Sequence, residues 1–172
     1  MTSRTSPARF GIAWSMPSRW TFSMRPVQEF LSRHLAACGV VVDPFAGQSI
    51  IATHRNDLAH GGVDAEEFCQ RLLQDGVVAD AVLFDPPYSP RQISECYKSI
   101  GKAVSMRDTQ NALLYSRVRK PLAMLLRPGG VALSFGWQSS GFGKDWTTEE
   151  ILLVQHGGAH NDTVCVAQRK PL

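Results

Sequence analysis

Along the first eighteen residues the apolar positions keep no sustained period and Pro7 and Pro17 interrupt them, which predicts an extended arm holding a short strand around Phe10 to Trp14. Behind Pro26, the positions Val27, Phe30, Leu31 and Leu35 recur at helical spacing. A proline suits the first turn of such a helix, and Gly39 closes it. Val40-Val41-Val42 is a β-branched run that stops at Asp43-Pro44-Phe45-Ala46-Gly47, as a buried parallel strand does on entering a loop. A second strand is expected over Ser49 to His54, ending near Asn56-Asp57. The Gly61-Gly62 break and a helix through Glu66 to Leu73 follow it, with Asp64 where that helix begins.

Ala79 to Phe84 is the next apolar strand, and it runs into Asp85-Pro86-Pro87-Tyr88, whose two prolines can continue neither a ladder nor a helix. Helices are predicted from Pro90 to Ile100 and from Thr109 to Leu126, after which Pro128-Gly129-Gly130 leads into a strand over Val131 to Phe135. Glu149 to Val154 and Thr163 to Ala167 read as two strands of a terminal hairpin, joined by the turn formers of His156 to Asp162. Strands alternating with helices predict an α/β fold with a mostly parallel sheet, closed by an antiparallel hairpin. Only a few residues separate Gly47 from Asp57, so the first crossover is expected to be abbreviated and to lack its helix.

Length and composition fit one folded domain: 172 residues, 44% hydrophobic and 19% charged, with no repeat, low-complexity tract or linker. We therefore expect residues 1–172 to form a single domain, with 1–18 as its N-terminal arm. The net charge of +3 suits a polyanionic partner without requiring one. Cys38, Cys69, Cys96 and Cys165 are far apart with no CxxC pair, which argues against a zinc site or a disulfide framework. Neither a signal-peptide pattern nor a membrane-length apolar run is present, so the cytoplasm is the expected compartment and no membrane partner is expected.

Both unusual loops follow strands of a parallel sheet, and ligands bind at the carboxyl ends of such strands, near the switch in strand order. Asp43 offers a carboxylate for a cationic amino group and Gly47 a close backbone approach, which fits a cofactor with an amino-acid moiety. Asp57 is placed to accept from ribose hydroxyls and Asp64 from an adenine amino group, although both positions also suit helix caps. The second loop has sharper chemistry. A base amino group is a poor nucleophile because its lone pair is delocalised, so acceptors must grip its protons while it is aimed at an activated methyl. Asp85 supplies a side-chain acceptor and the Pro86 carbonyl a backbone one, with the two prolines fixing both. Tyr88 offers a flat face for an extruded base.

With those residues on the page, Asp43-Pro44-Phe45-Ala46-Gly47 and Asp85-Pro86-Pro87-Tyr88 resemble motifs I and IV of the amino-methyltransferases, notably the adenine-N6 DNA methyltransferases. Trp20-Thr21-Phe22 resembles their motif X segment, beside the methionine end of the cofactor. The longer run from Asp85 to Gln92, with Ser134 to Trp137 and the His156 to Asp162 turn, is similar to the small adenine-specific enzymes of phages and mobile elements. The resemblance implies a Rossmann-like methyltransferase fold, S-adenosylmethionine as methyl donor, and DNA adenine as substrate, methylated by direct in-line transfer to a flipped base. It makes Trp20, Thr21, Phe22 and Asp43 to Gly47 cofactor contacts, and Asp85 to Tyr88 the catalytic segment. Nothing resembles a separate target-recognition domain. Recognition is then left to the loops after Tyr88 and Trp137, to a homodimer or separate specificity partner, or to a short site.

Arg91, Lys98, Lys102, Arg107, Arg117, Arg119 and Lys120 follow the catalytic loop, either as a phosphate-tracking surface or as solvated helix faces. Trp137, Phe142 and Trp146 lie among Gly136, Gly141 and Gly143, either as an aromatic loop closing over the base or as core. His156 and His160 read as part of a turn rather than as metal ligands. Two rival functions share these motifs: an RNA base amino-methyltransferase, and a catalytically silent module that binds cofactor or nucleic acid.

Overall fold

The computed structural model describes residues 7–87, 111–158 and 160–172. The arm forms strand β1 (Arg9–Trp14), a 3-10 turn (Thr21–Ser23) leads into helix α1 (Arg25–Leu35), and β2 (Val41–Asp43) and β3 (His54–Arg55) follow. A second 3-10 turn (Leu58–His60), α2 (Ala65–Gln74), β4 (Ala79–Phe84), α3 (Asn111–Leu125), β5 (Leu126–Gly136), β6 (Thr147–Gln155) and β7 (Thr163–Arg169) complete the order. The helix expected over Pro90 to Ile100, the start of the one expected from Thr109, and Cys96 lie outside the described residues.

The strands form one sheet in the order β1-β6-β7-β5-β4-β2-β3. Every neighbouring pair is parallel except the two that involve β7, which runs antiparallel to β5 and to β6. This is the mostly parallel sheet with a C-terminal antiparallel hairpin that the alternation of elements predicts, in the Rossmann-like form that the resemblance implies. Because β2 lies between β3 and β4, the chain leaves it first to one side and then to the other. The carboxyl ends of β2 and β4 therefore flank the switch point.

The sheet separates two apolar layers. On one side Phe22, Met24, Val27, Phe30 and Leu31 from the first 3-10 turn and α1 pack on Val41, Leu83, Leu133, Phe135 and Val154. On the other, Cys69 and Leu72 of α2 and Val118, Leu122 and Leu125 of α3 cover Val42, Val82, Phe84 and Ala132. Val27, Phe30 and Leu31 have the i, i+3, i+4 spacing that puts them on one face, and Pro26 occupies the first turn of α1. The link from α1 into β2 is tied down by Asp80, whose Oδ2 accepts from the backbone N–H of Gly39 and of Val40, both at 2.9 Å. Arg127 holds the other oxygen at 2.8 Å, and these bonds, the arginine's first, keep the Asp80 carboxyl at about 2.

Two elements differ from expectation. The second strand is confined to His54–Arg55, and residues 49–52 form a loop instead. Thr53 explains the truncation: its hydroxyl accepts from Val41 N–H and donates to Val41 C=O, both at 2.9 Å, taking the place of a backbone ladder partner. The connection from β2 to β3 is thus a parallel crossover made by residues 44–53 with no helix, as the short spacing predicts. Strand β5 starts early, at Leu126, because Pro128-Gly129-Gly130 is accommodated as an irregularity within the strand: Ala79 pairs with Leu126 but Ala81 pairs with Val131. Gly129, at φ +70°, makes that detour.

Candidate functional site

The switch point opens into a pocket of about 660 Å³. Its walls come from three separated segments: Arg19 to Ser23 ahead of α1, Pro44 to Ile51 in the β2–β3 crossover, and Asp85 to Pro87 after β4. Asn56 to His60, Asp64 and Ala65 complete it. Such a volume lies within the range of small-molecule sites, and the predominantly apolar lining with a few carboxylates is the usual character of one.

Of the residues singled out from the sequence, Trp20, Thr21, Phe22, Pro44, Phe45, Ala46, Gly47, Asp57, Asp64, Asp85, Pro86 and Pro87 all face this pocket. Tyr88 lies outside the described residues, as do Arg91, Lys98, Lys102 and Arg107. Asp43 is placed differently from the rest. It is wholly buried beneath the wall, its Oδ1 accepting from the Phe45 N–H at 2.9 Å, while Oδ2 is buried with no hydrogen-bond partner among the described residues. Burial pushes its carboxyl up to about 8, with Asp85 and Asp57 adding like-charge repulsion against the opposing Phe45 bond. An orphaned oxygen under a ligand pocket marks where a cationic or hydrogen-bonding group would be stabilised.

The crossover is fixed by residues that the sequence pattern did not mark. Asn56 is buried; its Nδ2 donates to the carbonyls of Pro44 (3.2 Å) and Val63 (2.9 Å), and its Oδ1 accepts from Val63 N–H (3.0 Å). Its backbone bonds Asp43 O and Ala46 N–H, both at 2.9 Å, so one asparagine joins both sides of the pocket floor. Gly62 is required beside it, since a β carbon there would stand 2.5 Å from Asn56 Oδ1. Gly47, at φ +54°, lies against Trp20, and the Arg19 guanidinium covers that indole 4.6 Å from its centroid. The only advance signals were Asn56's place ahead of Asp57 and Arg19's ahead of Trp20.

Both capping alternatives for the two remaining acids are realised. Asp57 accepts from Ala59 N–H at the start of the second 3-10 turn and contacts His60 Nδ1, and Asp64 caps α2 through Glu66 N–H at 3.0 Å. Each also lines the pocket, and the two placements are compatible, since each carboxylate oxygen can accept more than one hydrogen bond. The aromatic loop divides. Phe142 and Trp146 are core, with ring centroids 5.0 Å apart and Phe142 also 5.8 Å from Phe84, whereas Trp137 is half-exposed. Gln168 pins this loop by accepting from Phe142 N–H at 2.6 Å.

Arg117 pairs with Glu66 and Arg119 donates to the Gly141 carbonyl, so both serve the fold, while Lys120 is exposed. His156 is a buried turn residue bonded to Ser15 O and Thr163 Oγ1, both at 2.9 Å. Among the described residues no three His, Cys, Asp or Glu side chains are grouped as a metal ion would need. No described helix is long and apolar enough to cross a membrane.

No protein-family model and no curated protein matches the sequence. Solved structures do match in fold. The candidate methyltransferase yhhF of Escherichia coli superposes with a TM-score of 0.53 at 14% identity, over 91% of this chain and 92% of that one. TrmN from Thermus thermophilus gives 0.49 at 16% identity, over 86% of this chain and 49% of its own. The 1,6-didemethyltoxoflavin-N1-methyltransferase of Burkholderia thailandensis, solved with S-adenosylhomocysteine, gives 0.48 at 16% identity, over 86% and 78%. The sheet is thus one that yhhF shares across nearly the whole chain.

Proposed function

We propose that this protein transfers a methyl group from S-adenosylmethionine to the exocyclic N6 amino group of adenine in DNA. The observation that carries this is the convergence of Trp20 to Phe22, Pro44 to Gly47 and Asp85 to Pro87 on one pocket at the switch point, above the orphaned Asp43 oxygen. The residues fit the cofactor: an apolar wall of Phe22, Phe45 and Ala46, carboxylates at Asp57 and Asp64, and a buried carboxylate that gains from a nearby positive charge. When bound, S-adenosylmethionine supplies an electrophilic methyl on a sulfonium.

Phe45 and Ala46 shape the cofactor's side of the pocket, and Asp57 has acceptor capacity for sugar hydroxyls beyond its bonds with Ala59 N–H and His60 Nδ1. Asp85, on the segment that follows β4, accepts from the N–H of the amino group and orients its nitrogen, with the Pro86 carbonyl as second acceptor. Both are fixed by the prolines, so this is orientation of a nucleophile rather than base catalysis. Tyr88, the next residue, is assigned to stacking on the extruded base.

Transfer of labelled methyl to duplex DNA, single-stranded DNA and ribosomal RNA tests the substrate class. Label in DNA adenine supports the proposal, and label in RNA alone refutes it in favour of an RNA base methyltransferase.

A further inference from the structure

The observation lies away from the pocket, on β1. Arg9 of this strand bonds Glu150, which also accepts from Arg33 and His34 of α1, and Ala13 packs on the α1 side of the core. Odd-numbered β1 side chains therefore face α1, and even-numbered ones face away from it. Those are Phe10, Ile12 and Trp14, exposed at 63%, 60% and 61%, continued past the strand by Met16 at 68%. They sit beside the partly buried Ile151 and Leu153 of β6, their register neighbours being Ile151, Leu153 and Gln155. Between β5 and β6, residues 137–146 contain no helix, so among the described residues no helix of this connection covers this end of that face.

The backbone of β1 is open as well. Its only strand partner among the described residues is β6, which leaves it at the sheet's edge. Ser15 N–H donates to Gln155 O at 3.0 Å, so odd-numbered backbone groups point at β6. The N–H and C=O groups of Phe10, Ile12 and Trp14 consequently point outward. Edge strands are ordinarily protected by lysine, proline or inward-pointing charge. The sequence Arg-Phe-Gly-Ile-Ala-Trp has only Arg9, and that residue is occupied by Glu150.

We infer that β1 is a homodimer interface, in which two copies pair antiparallel across a two-fold axis at Ile12. The register is self-complementary: Ile12 falls opposite Ile12, and Phe10 opposite Trp14 of the second copy. All three are positions whose backbone groups point outward, so each pair exchanges two N–H···O bonds. Aromatic cross-strand pairs favour this register, and a one-residue slip turns the apolar set to opposite faces. Phe10, Ile12, Trp14 and Met16 together leave roughly 500 Å² in water, taking the usual full areas of such side chains. Pairing in this register sets the two stripes side by side as one apolar face, so roughly 1,000 Å² is the ceiling on the side-chain area that two copies bring together, the size of a weak, reversible interface. A second copy supplies both the matching edge and the matching stripe, and the proposal is independent of the chemistry assigned to the pocket.

Sedimentation velocity on the full chain across a concentration series tests this, with Ile12→Lys and Ile12→Cys as variants and Val78→Cys as an exposed control elsewhere. The expected result is a wild-type dimer that Ile12→Lys weakens at least ~10-fold, since like charges directly opposite destabilise a cross-strand pair. Paired residues at the two-fold have Cα atoms about 5.5 Å apart, within disulfide range. Ile12→Cys should accordingly give a covalent dimer under mild oxidation much faster than Val78→Cys. A monomeric wild type, a dimer insensitive to Ile12→Lys, or equal cross-linking rates would overturn the inference. Should Ile12→Lys fail to fold, the cross-linking comparison decides.

Discussion

The Trp20 indole lies across Gly47, so that a β carbon built on that glycine would stand 2.8 Å from Cζ3 of the ring. The contact joins the segment ahead of α1 to the β2–β3 crossover at the rim of the pocket. Gly47 also holds φ +54°, so two independent demands fall on one residue. Gly47→Ala should lower stability by about 1–3 kcal/mol and weaken S-adenosylmethionine binding. In a Trp20→Ala background the clash is gone and only the dihedral penalty remains. A double-mutant cycle by thermal denaturation and calorimetry should give a coupling of about 0.5 kcal/mol or more. Strict additivity would show the contact to be energetically empty.

Asp43 and Glu150 are both buried acids, and they predict opposite pH responses. The folded Asp43 carboxyl is raised to about 8 from 3.8, chiefly by burial. Its contribution is full below about 3.8 and is lost as pH rises toward and through 8, because the unfolded chain releases the proton first. Asp43→Asn should remove that loss, visible as a flatter stability curve between pH 4 and 8 in the ligand-free protein. An unchanged slope would place Asp43 outside the titrating set.

Glu150 runs the other way. Burial alone would raise its carboxyl, but hydrogen bonds from Arg9, Arg33 and His34 outweigh burial and hold it at about 2, below the ordinary 4.5. Its stabilisation is present above about 4.5 and lost as pH falls through 2. Glu150→Gln should cost about 1–3 kcal/mol near neutrality and abolish the acid-dependent part. Urea titrations at pH 3 and pH 7 measure both effects, and equal destabilisation at the two values would contradict the assignment.

Asn56→Ala removes the side-chain bonds to Pro44 and Val63 and leaves their buried groups unsatisfied. It should cost about 1–3 kcal/mol and weaken cofactor binding by about tenfold or more, a loss of about 1.4 kcal/mol. Hydrogen exchange should then accelerate at Phe45 and Ala46. Unchanged exchange there would show that Asn56 does not hold the crossover.

The two site loops were legible because each joins an apolar strand to residues that stop it: Val40 to Val42 runs into Asp43-Pro44, and Ala79 to Phe84 into Asp85-Pro86-Pro87. The missing helix was legible as a distance too short to hold one. Thr53 standing in for a strand partner was not, because a β-branched stretch with a hydroxyl reads like any other strand. Nor could the pattern place Asp43 beneath the wall rather than in it, find the Asn56 staple, or pair Arg9 with Glu150. Those depend on contacts between segments far apart in the chain, on which periodicity is silent. Phe142 and Trp146 show the same limit, since glycines around aromatics describe a packed loop as well as a moving one.

The division of labour in the pocket yields one further expectation. Asp43→Ala should weaken S-adenosylmethionine binding first, whereas Asp85→Ala should leave binding within about twofold and remove transfer, because the proposed role of Asp85 alone is toward the reacting amino group. Calorimetry paired with single-turnover transfer separates the two. Parallel loss of both properties in each variant would contradict this assignment.

The central claim is tested most directly by mass-spectrometric quantification of N6-methyladenine in DNA from cells expressing the wild-type chain or Asp85→Ala, with the methylated positions mapped by sequencing. The account predicts N6-methyladenine above host background, confined to a short sequence context, with the wild type and none above background with Asp85→Ala. Equal levels in the two strains, or a methyl group found only on another base or only in RNA, would contradict it.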